Sequence, residues 1–158
     1  MKLYRLHRVQ NLPLSLKDAW DFFCTPTNLP EITPPELEMT ITSGPPEHMY
    51  AGMILTYTVR PLLRFRIRWV SEITQVREPW FFVDEQRLGP YRFWHHQHLF
   101  REIEGGVEMQ DIIHYALPFG LLGRMMHRLK VRRQLEGIFD YRKKVLIQKF
   151  GVLYDGPV

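Results

Sequence analysis

The sequence of 158 residues predicts one α+β domain, in which a strand, two short helices, a run of antiparallel strands and a long C-terminal helix follow one another. Three observations carry this. From Leu37 to Pro118 the apolar residues alternate with period two, broken at Gly44-Pro45-Pro46, Pro61, Pro79, Gly89-Pro90 and Gly105-Gly106. Residues 122 to 150 then contain no proline, while Met125, Leu129, Leu135, Phe139, Leu146 and Phe150 recur at roughly helical spacing. No repeat, low-complexity tract or linker divides the chain, so residues 1–158 read as a single unit.

Taken in order, "KLYRLHRVQ" sets Leu3, Arg5, His7 and Val9 against Tyr4, Leu6 and Arg8 and reads as a strand that Pro13 ends. In "SLKDAWDFFC", Ser15 stands three residues before Asp18 in a capping-box spacing, and Leu16, Ala19, Trp20 and Phe23 share a face, which predicts a short amphipathic helix. Thr25 before Pro26 reads as an N-cap with proline at the first helical position, and Pro34-Pro35 closes that second helix. The breaks that follow separate five or six strands. In "RFRIRW" the residues Phe65, Ile67 and Trp69 face one way and Arg64, Arg66 and Arg68 the other, so the sheet has a dry and a wet face. The long helix must cover the dry one.

Composition limits the function classes. Aromatic residues, at 13%, are generous for a domain with 45% hydrophobic residues, and predict a thick core or a lined cavity. The one cysteine, Cys24, excludes an internal disulfide and reads as core packing in a reducing compartment. No run approaches the roughly 18 apolar residues of a membrane span, and "MKLYRLHRVQ" lacks the apolar centre of a secretory signal, so the expected location is cytoplasmic. A formal charge of +4 biases the surface mildly towards anionic partners.

The stretch "GPYRFWHHQHLF" concentrates histidines and aromatics, and its orientation follows from its neighbour. In "VEMQDIIHYAL" the inward face is Val107, Met109, Asp111, Ile113, Tyr115 and Leu117. A two-residue turn at Glu104-Gly105 or Gly105-Gly106 pairs these with the even positions of the preceding strand. Trp94, His96, His98 and Phe100 therefore point inward beside Asp111, with His98 opposite it in the first register, while His95 and His114 point outward. Two histidines at i and i+2 with a carboxylate can ligate zinc. The surrounding Trp, Phe, Met and Tyr resemble instead the wall of a small-molecule pocket with a few polar groups, and no metal or cofactor is expected. An inward carboxylate demands a partner, which makes Asp111 and His98 the leading polar candidates.

The motifs "FVDEQRLGPYRFWHHQHLF", "DIIHYALPFGLLG", "LEGIFDYRKKVL" and "ITPPELEMTI" resemble the SRPBCC superfamily, which includes START, pollen-allergen and polyketide-cyclase domains. Among its members the chain is most similar to a small bacterial ligand-binding branch often labelled cell-division-inhibitor-like. The resemblance spans the whole chain and implies a helix-grip fold, a curved antiparallel sheet wrapped around the C-terminal helix with a cavity between them.

Three function classes follow. The first is a carrier or sensor of a mostly apolar small molecule (lipid, quinone or polyketide-like), its cavity lined by Tyr57, Trp69, Trp94, His96, His98, Phe100, Met109, Asp111 and Tyr115, with Met125 or Leu129 from the helix. A cyclase- or dehydratase-type enzyme would use His98 and Asp111 as acid and base, although no nucleophile elbow, phosphate loop or cofactor fingerprint is present and "DEQ" at Asp84 to Gln86 reads equally as a strand-end hydrogen-bonding feature. The third is binding of an anion, nucleic acid or membrane surface through the nine basic residues from Arg124 to Lys149. Nucleic acid is the weakest of these, because the aromatics of "RFRIRW" face away from its arginines. Finally, Pro118, Phe119, Gly120 and Gly123 between the last strand and the helix are expected to form a movable lid.

Overall fold

The computed structural model describes residues 1–44, 47–60 and 65–153. Pro45, Pro46, Pro61 and Arg64, read above as strand breaks and as part of the arginine row, lie outside the described residues. Seven antiparallel strands form one sheet: β1 (Tyr4–Leu12), β2 (Thr40–Ile41), β3 (Ile54–Val59), β4 (Ile67–Arg77), β5 (Phe81–Leu88), β6 (Phe93–Ile103) and β7 (Gly106–Ala116). Their spatial order is β1-β7-β6-β5-β4-β3-β2, so the sheet is open, with the first strand at one edge beside the last and β2 at the other. Helix α1 (Leu16–Phe23) follows β1, and the C-terminal helical segment runs through α2 (Gly120–Met126), a π turn (His127–Val131) and α3 (Arg132–Phe150).

The β6–β7 hairpin sets the register of everything that follows. Its turn is Glu104-Gly105, with Ile103 paired to Gly106 and His98 opposite Asp111. Gly105 takes a φ of +75°, which a residue with a Cβ adopts only under strain. At Gly106 a Cβ would lie 2.2 Å from the Leu12 carbonyl oxygen, so the absence of a side chain is what lets β1 approach β7. Along β6 and β7 burial then alternates strictly, with Trp94, His96, His98, Phe100, Val107, Met109, Asp111, Ile113 and Tyr115 all inward. Register shifts between Val70 and Ser71 and between Ile73 and Gln75 bend β4 against β5, and such bulges increase local twist and curl the sheet around the helix.

Helix α1 begins as its capping signal predicts, with the Ser15 hydroxyl accepting from the Asp18 amide at 3.1 Å. The same hydroxyl donates to the Asp18 carboxylate at 2.6 Å, so Asp18 braces the cap side chain rather than the cap amide. Trp20 and Phe23 pack edge-on and tilted against Phe100, closing one end of the sheet with Leu12, Met109 and Leu146. Cys24 lies in that core, where burial pushes its thiol up to about 12 and leaves it inert.

Three expectations need correction. The second helix is two separate 3₁₀ turns, Pro26–Asn28 and Pro35–Leu37, and Thr25 makes no side-chain cap. Its hydroxyl donates instead to the Asp21 carbonyl at 2.7 Å, which finishes α1. Phe65 precedes β4 and is 73% exposed, so the dry stripe of "RFRIRW" begins only at Ile67. On the C-terminal helix the inward stripe is His127, Val131, Leu135, Phe139, Arg142 and Leu146, whereas Met125 and Leu129 are 52% and 69% exposed. The stripe includes a histidine and an arginine, which is why a reading of apolar residues alone chose the wrong face at its N-terminal end. His127 accepts its buried place by hydrogen-bonding the Tyr115 hydroxyl at 2.8 Å and stacking on Tyr4 with ring centroids 3.5 Å apart.

Two alanine substitutions check this account of the backbone. Gly106→Ala should cost about 1 to 3 kcal/mol, because the new Cβ must push β1 off β7. Gly137→Ala, in the middle of α3 where a Cβ meets nothing within 4 Å, should stabilise by up to about 1 kcal/mol. Denaturant melts of both variants measure the difference, and the opposite ordering would contradict the β1–β7 packing described here.

Candidate functional site

Between α3 and the strands β3 to β6 lies a cavity of about 180 Å³. Most of its wall is apolar: Ile32, Leu55, Val59, Ile73, Leu135 and Phe139 with the rings of Tyr57, Trp69, Tyr91 and Trp94. Tyr57 stacks on Trp69 at 5.9 Å, and the Tyr57 hydroxyl and Trp69 Nε1–H both reach Ser71 Oγ, at 3.1 and 3.0 Å. These aromatic groups are therefore satisfied within the wall and present apolar faces to the interior.

One part of the wall is ionisable. β5 supplies Asp84, β6 supplies His96 and His98 two residues apart on the same face, and α3 supplies Arg142. Behind the two imidazoles sits Asp111 of β7, whose position opposite His98 is fixed by the hairpin register. His96 Nε2 hydrogen-bonds Asp111 Oδ1 at 2.8 Å, and His98 Nε2 hydrogen-bonds Asp84 Oδ2 at 2.9 Å. The pairs also cross over: His96 Nδ1 is 3.3 Å from Asp84 Oδ2, and His98 Nδ1 is 3.2 Å from Asp111 Oδ1. Arg142 donates to Asp111 Oδ1 at 3.3 Å, and Trp94 Nε1–H donates to Asp84 Oδ1 at 3.3 Å.

Electrostatics follows from this crowding. Burial alone would raise both carboxylates, but the Arg142 charge and the imidazole hydrogen bonds hold Asp111 well below the usual range. Asp84 is likewise held low by His96 and His98 against its own desolvation. For His96 burial favours the neutral ring, and the charge of Asp84 with the hydrogen bonds to Asp111 and Asp84 outweighs it, so its pKa is raised. Asp84 keeps 17% side-chain exposure against 8% for Asp111, consistent with Asp84 at the cavity wall and Asp111 behind the imidazoles. Among the described residues, Asp84, His96 and His98 are the one set of donor atoms that converge within 4.8 Å of one another.

Of the residues expected to line a pocket, the cavity wall contains Tyr57, Trp69, Trp94, His96 and His98. Phe100 and Met109 point inward but pack under α1, and Tyr115 packs with Ile113, Val131 and Phe139. Met125 and Leu129 are on the outer face of the helix. Pro118, Phe119, Gly120 and Gly123 are absent from the cavity wall, and Gly123 is wedged where a Cβ would lie 2.1 Å from the Pro118 carbonyl oxygen, so it is a packing glycine rather than a hinge. Two central residues are not among the residues expected to line the cavity. In the sequence Asp84 reads equally as a strand-end hydrogen-bonding feature or an acid-base group, and the structure places it directly across the sheet from His96. Arg142 was counted among surface charges, although its place on the i, i+3, i+4, i+7 stripe with Phe139 and Leu146 marks it as buried.

Substitutions of the neighbouring histidines should separate the two faces. His98→Ala removes a hydrogen-bond donor from a buried carboxylate and should cost about 3 kcal/mol, while His95→Ala should cost no more than about 0.5 kcal/mol. Equal costs in denaturant melts would mean that the ion cluster carries no stability.

No family model matches the sequence, and no curated protein matches it at a significant level. Solved structures do. Norcoclaurine synthase of Thalictrum, determined as a point mutant with a transition-state analogue, superposes with a TM-score of 0.65 at 14% identity, covering 94% of this chain and 96% of that one. Ara h 8.0201 gives a TM-score of 0.59 at 14% identity over 93% and 99% of the two chains. Protein Ms6760 from Mycobacterium smegmatis gives 0.65 at 15% identity over 94% and 98%. At such identities the likeness speaks for architecture alone, and together with the open seven-stranded antiparallel sheet and its long C-terminal helix it shows that this chain has the helix-grip α+β fold.

Proposed function

We propose that the protein binds a compact, mostly apolar small molecule in the cavity between α3 and the sheet, as a carrier or sensor. The observation that carries this reading is the combination of an aromatic wall with a single ionisable end. Size narrows the ligand. A cavity of about 180 Å³ is close to one of about 150 Å³ that accepts benzene, so a ligand of one or two rings fits and an extended lipid chain does not. Arg142 narrows its chemistry: this wall residue is 7% exposed, and its Nε–H has no partner among the described residues. A buried donor of this kind is satisfied by a ligand oxygen, which favours an aromatic or alicyclic ring bearing a carbonyl or carboxylate.

Native mass spectrometry of the freshly purified chain tests the reading, with 2-naphthoate as an added probe. Binding should appear as a bound mass or as a rise in unfolding temperature that grows with probe concentration, and should be lost in Ile138→Trp, which fills the cavity from α3. A wild-type protein that carries nothing and ignores naphthoate would overturn it.

A second surface supports a membrane role alongside this one. Phe119, Leu121, Leu122, Met125 and Leu129 are each between 52% and 78% exposed, and Arg124, Arg128 and Lys130 are interspersed with them. An apolar strip rimmed by cations fits the boundary of an anionic bilayer, into which apolar side chains sink while the basic groups meet lipid phosphates. Co-sedimentation with vesicles containing phosphatidylglycerol should exceed that with phosphatidylcholine alone, should fall as salt rises, and should be abolished by Leu121→Glu with Leu129→Glu. Sedimentation unchanged by those substitutions would exclude this face.

A further inference from the structure

We infer that Asp84, His96 and His98 bind a divalent transition-metal ion at the end of the cavity. The inference does not depend on the identity of the small-molecule ligand. It begins with the hydrogen atoms. Four close nitrogen–oxygen approaches link two imidazoles to two carboxylate oxygens, at 2.8, 2.9, 3.2 and 3.3 Å. Neutral imidazoles have one N–H each and can satisfy two of the four, leaving the other two as lone pair facing lone pair. One charged ring, His96, supplies a third proton and still leaves His98 Nδ1 facing Asp111 Oδ1 without one; charging both rings would supply the fourth, but the ring centroids are 3.7 Å apart, and two buried imidazolium ions at that separation repel strongly. His98 Nδ1 indeed has no hydrogen-bond partner among the described residues.

A metal ion resolves all four approaches with neutral rings. His96 Nδ1, His98 Nε2 and Asp84 Oδ2 would direct lone pairs at the ion, and the far nitrogens, His96 Nε2 and His98 Nδ1, would each carry a proton facing Asp111 Oδ1. The distances suit this. Ligands about 2.0 to 2.2 Å from zinc lie about 3.3 to 3.5 Å apart in a tetrahedron and about 3 Å apart at right angles. The observed separations from Asp84 Oδ2 are 3.3 Å to His96 Nδ1 and 2.9 Å to His98 Nε2. The outer arrangement suits it equally, since metal-bound histidines characteristically donate their second N–H to a carboxylate. Here one carboxylate serves both rings, and Arg142 in turn holds that carboxylate.

The donor set of two imidazoles and one carboxylate selects a first-row ion such as Zn²⁺ or Fe²⁺ over Mg²⁺ or Ca²⁺, which prefer all-oxygen sites. Three protein ligands leave coordination positions free, and all three residues line the cavity, so a ligand oxygen there has access to the ion. Asp111 and Arg142 are positioning residues in this arrangement.

Titration of the purified protein with Co²⁺ tests the inference. One ion per chain should bind and give the visible absorption of low-coordinate Co²⁺, and Zn²⁺ should displace it. Asp84→Asn and His96→Ala should abolish the spectrum. Asp111→Asn should keep it with affinity lowered about 10- to 100-fold. His95→Ala and His114→Ala, which alter the other face of the sheet, should leave it unchanged. Where a triad variant fails to fold, anomalous scattering from wild-type crystals grown with Co²⁺ decides, with a peak expected between the three donors. Absence of binding, loss of binding through His95 or His114, or a peak elsewhere would overturn the assignment.

Discussion

Two carboxylates inside an apolar shell are the constraint on which the rest of this structure depends. An isolated buried carboxylate is too costly to survive, so Asp84 and Asp111 each require donors from outside their own strand. The donors come from β6, through His96 and His98, and from α3, through Arg142. The cluster therefore ties three neighbouring strands to the helix that the sheet surrounds. Moving β6 by one residue against β7 would turn both histidines to solvent and strand Asp111 opposite apolar groups, so the polar cluster enforces the same register that the apolar alternation favours.

The same constraint explains why the interior is not fully packed. Side chains that converge on charges cannot also fill the volume beside them, and the aromatic rings of Tyr57, Trp69, Tyr91 and Trp94 are large and rigid enough to hold the remaining space open. Apolar packing is instead concentrated in three clusters, under α1 around Trp20 and Phe100, beneath α3 around Ile113 and Leu135, and on β3 and β4 around Leu55 and Ile73. The cavity lies between a core that fixes the fold and a cluster that gives its wall chemistry.

Much of this was legible from sequence because period-two burial is strict in β6 and β7, and a two-residue turn leaves no freedom of parity. His96, His98 and Asp111 could be brought together on that basis alone, along with the sheet, α1 and the long helix. What stayed hidden had specific physical causes. Asp84 reaches the cluster from β5 through its pairing with His96 of β6, and the four residues that join β5 to β6 leave that register open in the sequence. Arg142 looked like one basic residue among nine, since a helix that buries an arginine has no apolar signature at that point. Met125 and Leu129 look like core residues and are exposed, because the stripe through His127 and Val131 takes the inward face. Chemically unexpected residues on regular stripes were informative, and the apolar residues off them were not.

The central claim is that Asp111 and Arg142 are coupled across the interior, so that the cluster locks helix to sheet. A double-mutant cycle of Asp111→Leu and Arg142→Met, measured by denaturant unfolding in EDTA, tests this most directly. The account predicts that each single substitution is strongly destabilising, that the pair together costs less than the sum, and that the coupling energy is about 2 kcal/mol or more. Additive losses, with a coupling below about 0.5 kcal/mol, would contradict it.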